Sequence, residues 1–200
     1  MLIKVYPVNP NEKQIAQVVR CLEDGGVVIY PTDSVYAFGC SLHSPRGVER
    51  LISITGKQLG TLAIVCEDLS RVAEYAKVDN TAFKLLKRNL PGPFTFILRP
   101  SSRVPDKALG KRKSIGVRIP ANPIPLAIVT SLGCPMLTTS VKDPDEVVEY
   151  TTDPELIEER YENVVQAVVD GGYGDNQPTT LVDLTDDEPI VVRQGKGELR

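Results

Sequence analysis

The stretch Val27–Cys40, VVIYPTDSVYAFGC, constrains this chain more than any other. Val27-Val28-Ile29-Tyr30 is a run of β-branched and aromatic residues, the composition of a buried strand. Pro31 ends it, because proline has no N–H for a sheet ladder. Thr32-Asp33-Ser34 then sets three short oxygen-bearing side chains at the carboxyl end of a strand, the edge where open α/β sheets bind ligands. Val35–Phe38 is apolar again, and Gly39 permits a turn. Two apolar runs around a polar cluster make the pattern of a pocket floor. The same pattern also suits a plain strand and turn in which Thr32 and Ser34 cap backbone groups.

The rest of the chain alternates strands and helices. Leu2–Tyr6 reads as a first strand. Asn9 or Asn11 caps a helix to about Asp24, with Ile15, Val18, Val19 and Leu22 as one apolar stripe. Ser44-Pro45 opens a second helix and Thr55-Gly56-Lys57 breaks it. Thr61–Cys66 is a strand. Ser70 and Asn80 cap two further helices, the later one carrying Phe83, Leu86 and Leu90. Phe94–Leu98 is a strand, Ser101–Ser114 a polar loop and Ser114–Ile119 a strand. Ile124–Leu132 is a helix closed by Gly133, and Cys134–Ser140 a short strand. Asp153-Pro154 opens the last helix, and Val164–Val169, Thr180–Leu184 and Ile190–Val192 are strands. Asp170–Pro178 is a turn-rich loop. This order predicts one α/β domain over residues 1–200, a twisted mixed sheet with helices packed on it and some antiparallel strands near the end.

Composition excludes several classes. A net charge of −3 argues against a generally basic nucleic-acid coat but not against a local patch. No apolar run reaches the roughly 18 residues of a membrane span, and the first residues lack a signal layout, so a cytoplasmic protein without a membrane partner is expected. Cys21, Cys40, Cys66 and Cys134 show no C-x-x-C and read as small, buried, reduced side chains. His43 is the single histidine, so a Cys–His pair has one available base and no metal-spaced set exists. The sequence leaves the oligomeric state open.

Three strands carry small hydroxyls at an end: Thr32/Ser34, Thr138/Thr139/Ser140 and Thr179/Thr180. If those strands share an orientation, the hydroxyls line one edge. Arg103–Arg118, RVPDKALGKRKSIGVR, concentrates positive charge and suits a phosphate backbone, or is a solvated loop. Arg118 is different, since it sits inside a strand, where a charge needs a partner or a cavity. Arg193, directly after Ile190-Val191-Val192, is similar. There is no P-loop and no G-x-G-x-x-G. With one histidine, a reaction built on positioning and charge stabilisation, as in phosphoryl or nucleotidyl transfer, fits best.

Taken together the motifs resemble the YrdC/YciO family. YPTDSVYAFGC is similar to the family's YPTDTVYGLGC, PGPFTFIL to P-G-P-x-T, SIGVRIP to V-G-V-R-x-P, and MLTTS to the start of T-S-A-N. TTLVDL followed by IVVRQG resembles S-T-V-V-D-L and I-x-R-x-G. The resemblance covers roughly residues 10–197. It implies a YrdC-like twisted α/β sheet with a concave, positively charged face. It also implies synthesis of threonylcarbamoyl-AMP and pyrophosphate from L-threonine, bicarbonate and ATP, usually with Mg²⁺, in the pathway that modifies an adenosine of tRNA. By position, Arg118 and Ser140 are the implied catalytic residues. Thr32, Tyr36 and Thr138 are implied as substrate-binding, Thr32 with Arg118 on threonine or its carbamate and Thr138 with Ser140 near the phosphates, and Lys57, Lys142 and Arg193 are implied on the nucleotide side. No metal ligand is implied.

Two departures stand out. Aligned on Leu62, the family's basic K-x-R falls on Ile54 and Gly56, leaving Lys57 as the nearest cation. Where the family has S-x-N, this chain has Ser140-Val141-Lys142, and lysine cannot accept a hydrogen bond. TTSVKDPDE resembles the YciO branch more than the synthases. The alternatives are therefore an RNA- or tRNA-binding protein of the YciO type, including double-stranded RNA, or an enzyme acting on threonylcarbamoylated tRNA. Lys111, Arg112 and Lys113 are the candidate RNA contacts. Replacing all three by alanine is expected to weaken RNA binding and flatten its salt dependence without changing small-ligand affinity. Equal RNA affinity in a filter-binding titration would show a solvated loop only.

Overall fold

The computed structural model describes residues 1–58, 60–111 and 113–200. Its strands are β1 (Leu2–Lys4), β2 (Val28–Tyr30), β3 (Ala37–Ser41), β4 (Ala63–Val65), β5 (Ala76–Lys77), β6 (Phe94–Pro100), β7 (Ile115–Arg118), β8 (Met136–Ser140), β9 (Ala167–Asp170), β10 (Thr180–Asp183) and β11 (Ile190–Arg193). The helices are α1 (Glu12–Glu23), α2 (Pro45–Thr55), α3 (Leu69–Tyr75), α4 (Asn80–Asn89), α5 (Asp106–Leu109), α6 (Pro123–Leu132), α7 (Glu149–Thr152) and α8 (Pro154–Tyr161).

Local chemistry sets most helix ends. Asn11 accepts from Lys13 N to start α1, and Ser44 accepts from Gly47 N to start α2, with Pro45 in its first turn. Gly56 and Gly133 close α2 and α6 in the left-handed region, with φ of 62° and 75°. The caps of α3 and α4 are Asp68 and Asp79 rather than Ser70 and Asn80. Their carboxylates accept from Arg71 N and Ala82 N, and a negative charge suits a helix start better than a neutral side chain.

The strands join in one mixed sheet, β1-β9-β2-β3-β8-β4-β7-β6-β10-β11, with β5 added to β6. Antiparallel pairing is not confined to the end of the chain. β3 lies antiparallel between β2 and β8, and β8 is antiparallel to β4, so the middle of the sheet is mixed as well.

The two faces differ. One carries Ile29, Phe38, Leu137, Ile64, Val117, Phe96 and Val182, covered by Val48 and Leu51 of α2, Val72 of α3, Leu86 of α4 and Ile157 of α8. The opposite face carries Val28, Tyr30, Ala37, Met136 and Val65 under α1 and α6. That cover does not extend over β6, where Phe94, Phe96 and Leu98 are buried while Thr95 and Ile97 are only half-buried. A half-covered sheet face is where a ligand site can form.

Several sequence expectations change here. Gly39 does not turn. It continues β3, paired with Val28 and Thr138. An added Cβ would lie 2.7 Å from a Tyr30 ring carbon, so the missing side chain makes room for that ring. Ser101–Ser114 holds α5 inside the expected loop. Phe83 is 42% exposed, because the buried stripe of α4 runs through Ala82, Leu86 and Asn89. Cys40 and Cys66 are buried, whereas Cys21 and Cys134 are half-buried.

Gly39→Ala is expected to lower stability by about 1–3 kcal/mol through overpacking against Tyr30. An unchanged urea midpoint would show that the ring can move aside. Burial pushes the Cys40 thiol from 9.0 up to about 12 and the Tyr30 phenol from 10.0 up to about 12. Both are neutral in the fold, so their contribution is fully present below the unfolded values and is lost as pH rises through the folded ones. Urea midpoints should therefore hold steady below about pH 9 and fall toward about pH 12. A flat profile across that window would contradict the burial of these groups.

Candidate functional site

The loop between β2 and β3, Pro31–Tyr36, organises the site. The Thr32 hydroxyl donates to Val35 O at 2.7 Å and accepts from Ser34 N at 3.0 Å, which folds the loop on itself. Asn122 Nδ2, at the start of α6, donates to Thr32 O at 3.2 Å. Asp33 is thereby aimed inward. One carboxylate oxygen accepts from Ala121 N at 2.8 Å, and the other accepts from Arg118 Nη2 at 3.1 Å. Ser34 Oγ accepts from the same nitrogen at 3.1 Å.

Arg118 ends β7 and is 4% exposed. A buried charge needs a partner, and Asp33, also almost buried, supplies it. The pairing uses one guanidinium nitrogen. Arg118 Nε is buried and has no hydrogen-bond partner among the described residues. Guanidinium capacity is thus left over beside a hollow.

That hollow is a cleft of about 160 Å³ over the uncovered sheet face. Hydroxyls line it (Thr61, Thr95, Thr138, Thr139, Ser140, Thr179), together with the cations Lys57, Arg118, Lys142 and Arg193 and the apolar Ala63 and Leu181. No carboxylate is among these lining residues. The space follows from side-chain size. Thr138, Ala63 and Gly116 lie side by side on β8, β4 and β7, and none of these three is large. A Cβ on Gly116 would already come within 3.0 Å of Ala63 Cβ and Thr95 Cγ2. A roomier groove of about 920 Å³ opens between α1 and α6, but its charged residues Glu12, Lys13 and Arg20 are exposed, so no buried charge looks into it.

The structure sorts the candidate residues. Arg118, Ser140, Thr138, Lys57, Lys142 and Arg193 all line the cleft. Ser140, half-buried at the end of β8, has no side-chain hydrogen bond among the described residues. Thr138 is committed, donating to Phe38 O at 2.8 Å and lying 2.6 Å from the Tyr30 hydroxyl. Arg193 donates from Nη2 to Thr179 O at 2.8 Å. Thr32 and Tyr36 are not among the lining residues. Tyr36 donates to Gly172 O at 2.6 Å, so both side chains shape the loop. Thr179 reaches the cleft, but Thr180 opens β10 and is fully buried, so the three hydroxyl groups do not share one strand edge.

Ile54 packs on the core and Gly56 caps α2, which leaves Lys57 as the cation at that place. Lys111 and Lys113 are exposed and outside the cleft lining, and Arg112 lies outside the described residues. In the same loop Arg103 pairs with Glu74 and Lys107 with Glu49. Sequence reasoning placed Asp33 in the polar cluster without a role and missed Thr61 and Thr95. The alternation of FTFIL puts Thr95 on the face opposite Phe94 and Phe96, and the need of Arg118 for a partner was the signal for Asp33.

The family model for Sua5, YciO and YrdC proteins, described as telomere recombination, matches residues 20–195. This chain belongs to the Sua5/YciO/YrdC family. It is 45% identical to YciO of Escherichia coli over 199 residues, covering 98% of this chain and 96% of that protein. The crystal structure of that YciO superimposes with a TM-score of 0.92 at 44% identity, over 99% of this chain and 97% of the other. A putative threonylcarbamoyl-AMP synthase of Methanocaldococcus jannaschii is 29% identical over 97% of this chain and 92% of its own length. Sua5 of P. abyssi, solved with L-threonine, matches with a TM-score of 0.86 at 26% identity, over 98% of this chain and 57% of the other. The family and its mixed α/β sheet are as the motifs implied. No helix among the described residues is long and apolar enough to cross a membrane.

Asp33→Asn leaves the Arg118 charge buried without a counter-charge, and a loss of about 3–5 kcal/mol is expected on the scale of broken buried pairs. Combining it with Arg118→Met should cost less than the sum of the two single changes. Additive losses in urea unfolding would show that the two side chains do not depend on each other.

Proposed function

We propose that the cleft binds L-threonine as its carbamate and that the chain forms threonylcarbamoyl-AMP from L-threonine, bicarbonate and ATP. The observation that carries this reading is the buried Arg118, with an unpartnered Nε, beside a cleft lined by hydroxyls and cations without a carboxylate. The threonine complex of the P. abyssi relative and the name of the M. jannaschii relative support the same substrate class.

In the proposed reaction a carbamate oxygen attacks the α-phosphorus of ATP. The new P–O bond forms as the bond to pyrophosphate breaks. Negative charge concentrates on the phosphoryl oxygens, and preorganised donors lower that barrier. Arg118 holds the carbamate or the threonine carboxylate, where a forked guanidinium can make paired bonds. Ser140 donates to the phosphate side. Lys57, Lys142 and Arg193 balance the triphosphate. Thr138 fixes the floor, and Thr32 and Tyr36 act by shaping the loop. The lining offers no acidic ligand for Mg²⁺, so the ion would travel with the triphosphate, and none of these roles depends on it. These substrates and the free cysteines fit a cytoplasmic setting.

A second reading is favoured by a specific observation. Ile54 and Gly56 occupy the places of two basic family residues, and Lys142 that of an asparagine, so the phosphate side is poorer in donors and acceptors. A protein that binds RNA, or acts on an already threonylcarbamoylated tRNA, needs less of that machinery.

The test is pyrophosphate release from MgATP and bicarbonate with and without L-threonine. Threonine-dependent release is expected, with Ser140→Ala lowering it about 10- to 100-fold. No release from pure, folded protein would remove the synthase reading. Threonylcarbamoylated tRNA is then the substrate to offer.

A further inference from the structure

All four backbone carbonyls from Thr32 to Val35 are hydrogen-bonded, two of them from the far end of the chain. Lys196 Nζ donates to Asp33 O at 2.8 Å, and Asp175 N donates to Ser34 O at 3.2 Å. Lys196 Nζ also meets Asp175 Oδ2 at 2.7 Å. These contacts close a ring: Asp33 O to Lys196, Lys196 to Asp175, Asp175 to Ser34 O, and back through the Asp33–Ser34 peptide. The two residues gripped by their backbones are the same two whose side chains hold Arg118 Nη2.

We propose that Lys196 and Asp175 form a clasp that positions Arg118 by fixing the backbone of the Pro31–Tyr36 loop. The lysine is not needed to hold its own segment. Lys196 N already donates to Pro178 O at 2.9 Å. Its neighbours are tightly seated: a Cβ on Gly195 would collide with Pro178 O, and one on Gly197 would lie 2.5 Å from the Phe94 ring. The side chain of Lys196 therefore projects from a rigid base. It is 37% exposed, so the ion pair with Asp175 adds little to global stability. Its effect lies in geometry, because a guanidinium with one anchored nitrogen can swing unless its anchors are themselves fixed. The hydrogen bond from Lys196 also holds the Asp175 carboxyl below the ordinary 3.8. Both are positioning residues, since neither lines the cleft and each acts through the loop that holds Arg118.

That the positioned group receives L-threonine rests on the proposed function, whereas the clasp does not. The experiment reads both. Hydrogen exchange of the Arg118 Nε–H is followed by nitrogen-15 NMR in wild type, Lys196→Met, Lys196→Arg and Asp175→Asn, alongside calorimetric titration with L-threonine. Lys196→Met is expected to speed the Arg118 Nε–H exchange about tenfold and to weaken threonine binding about tenfold, with Lys196→Arg keeping both near wild type. The Asp175 carboxyl should titrate closer to its ordinary value in Lys196→Met. Should that variant fail to fold, Asp175→Asn supplies the same comparison. An unchanged Arg118 signal in folded Lys196→Met or Asp175→Asn overturns the clasp. A changed signal in a protein that never binds threonine leaves the clasp standing and removes the functional reading.

Discussion

A guanidinium buried to 4% exposure cannot stand alone, and much of the site is arranged around that fact. Arg118 sits inside a sheet, on a strand whose other residues, Ile115, Gly116 and Val117, are buried. Its charge is tolerable there because Asp33 comes within 3.1 Å. To deliver Asp33, the chain between β2 and β3 must leave the sheet and close over its face. Thr32, Ser34, Asn122, Ala121, Lys196 and Asp175 all serve that loop through hydrogen bonds. Elements from every third of the chain thus meet at one ion pair.

The second constraint is unequal covering of the sheet. α2, α3, α4 and α8 close one face, while α1 and α6 close only part of the other. Over the remaining strands most side chains that line the gap are small, hydroxylated or cationic, so it stays open and polar rather than collapsing into core. A cleft made this way is rigid at its floor, because Tyr30 and Phe38 O hold Thr138 in place. Its rim is more exposed, at Lys142 and Arg193. That division suits a site that must fix one small group and accept a larger, charged one beside it.

Much of this was legible in the chain. The cap at Ser44, a first-helix cap at Asn9 or Asn11, the stops at Gly56 and Gly133, and the strands around Ile29, Phe96 and Val117 follow from local chemistry and periodicity. The charge inside GVRIP identified Arg118 before any fold was known. Other readings meet different surroundings in the fold. Gly39 looks like a turn residue because glycine suits turns, yet here it clears space for an aromatic ring on a neighbouring strand. Thr32 and Tyr36, substrate contacts by the resemblance, have hydroxyls bonded to backbone carbonyls and lie outside the cleft lining. Thr180 shares a pattern with Ser140 but faces the other side of the sheet.

The sequence by itself determined the alternation of elements, most of their ends and the polar cluster after β2, because these depend on neighbours within a few residues. It also determined that Arg118 needed a counter-charge. Only the tertiary structure decided which carboxylate supplies it, since Asp33 lies 85 positions away and several acids are equally plausible by pattern. The same holds for Lys196 reaching Asp33 O across 163 positions, and for the open part of the sheet face. Strand order and helix placement set those distances, and they are properties of the whole packed chain.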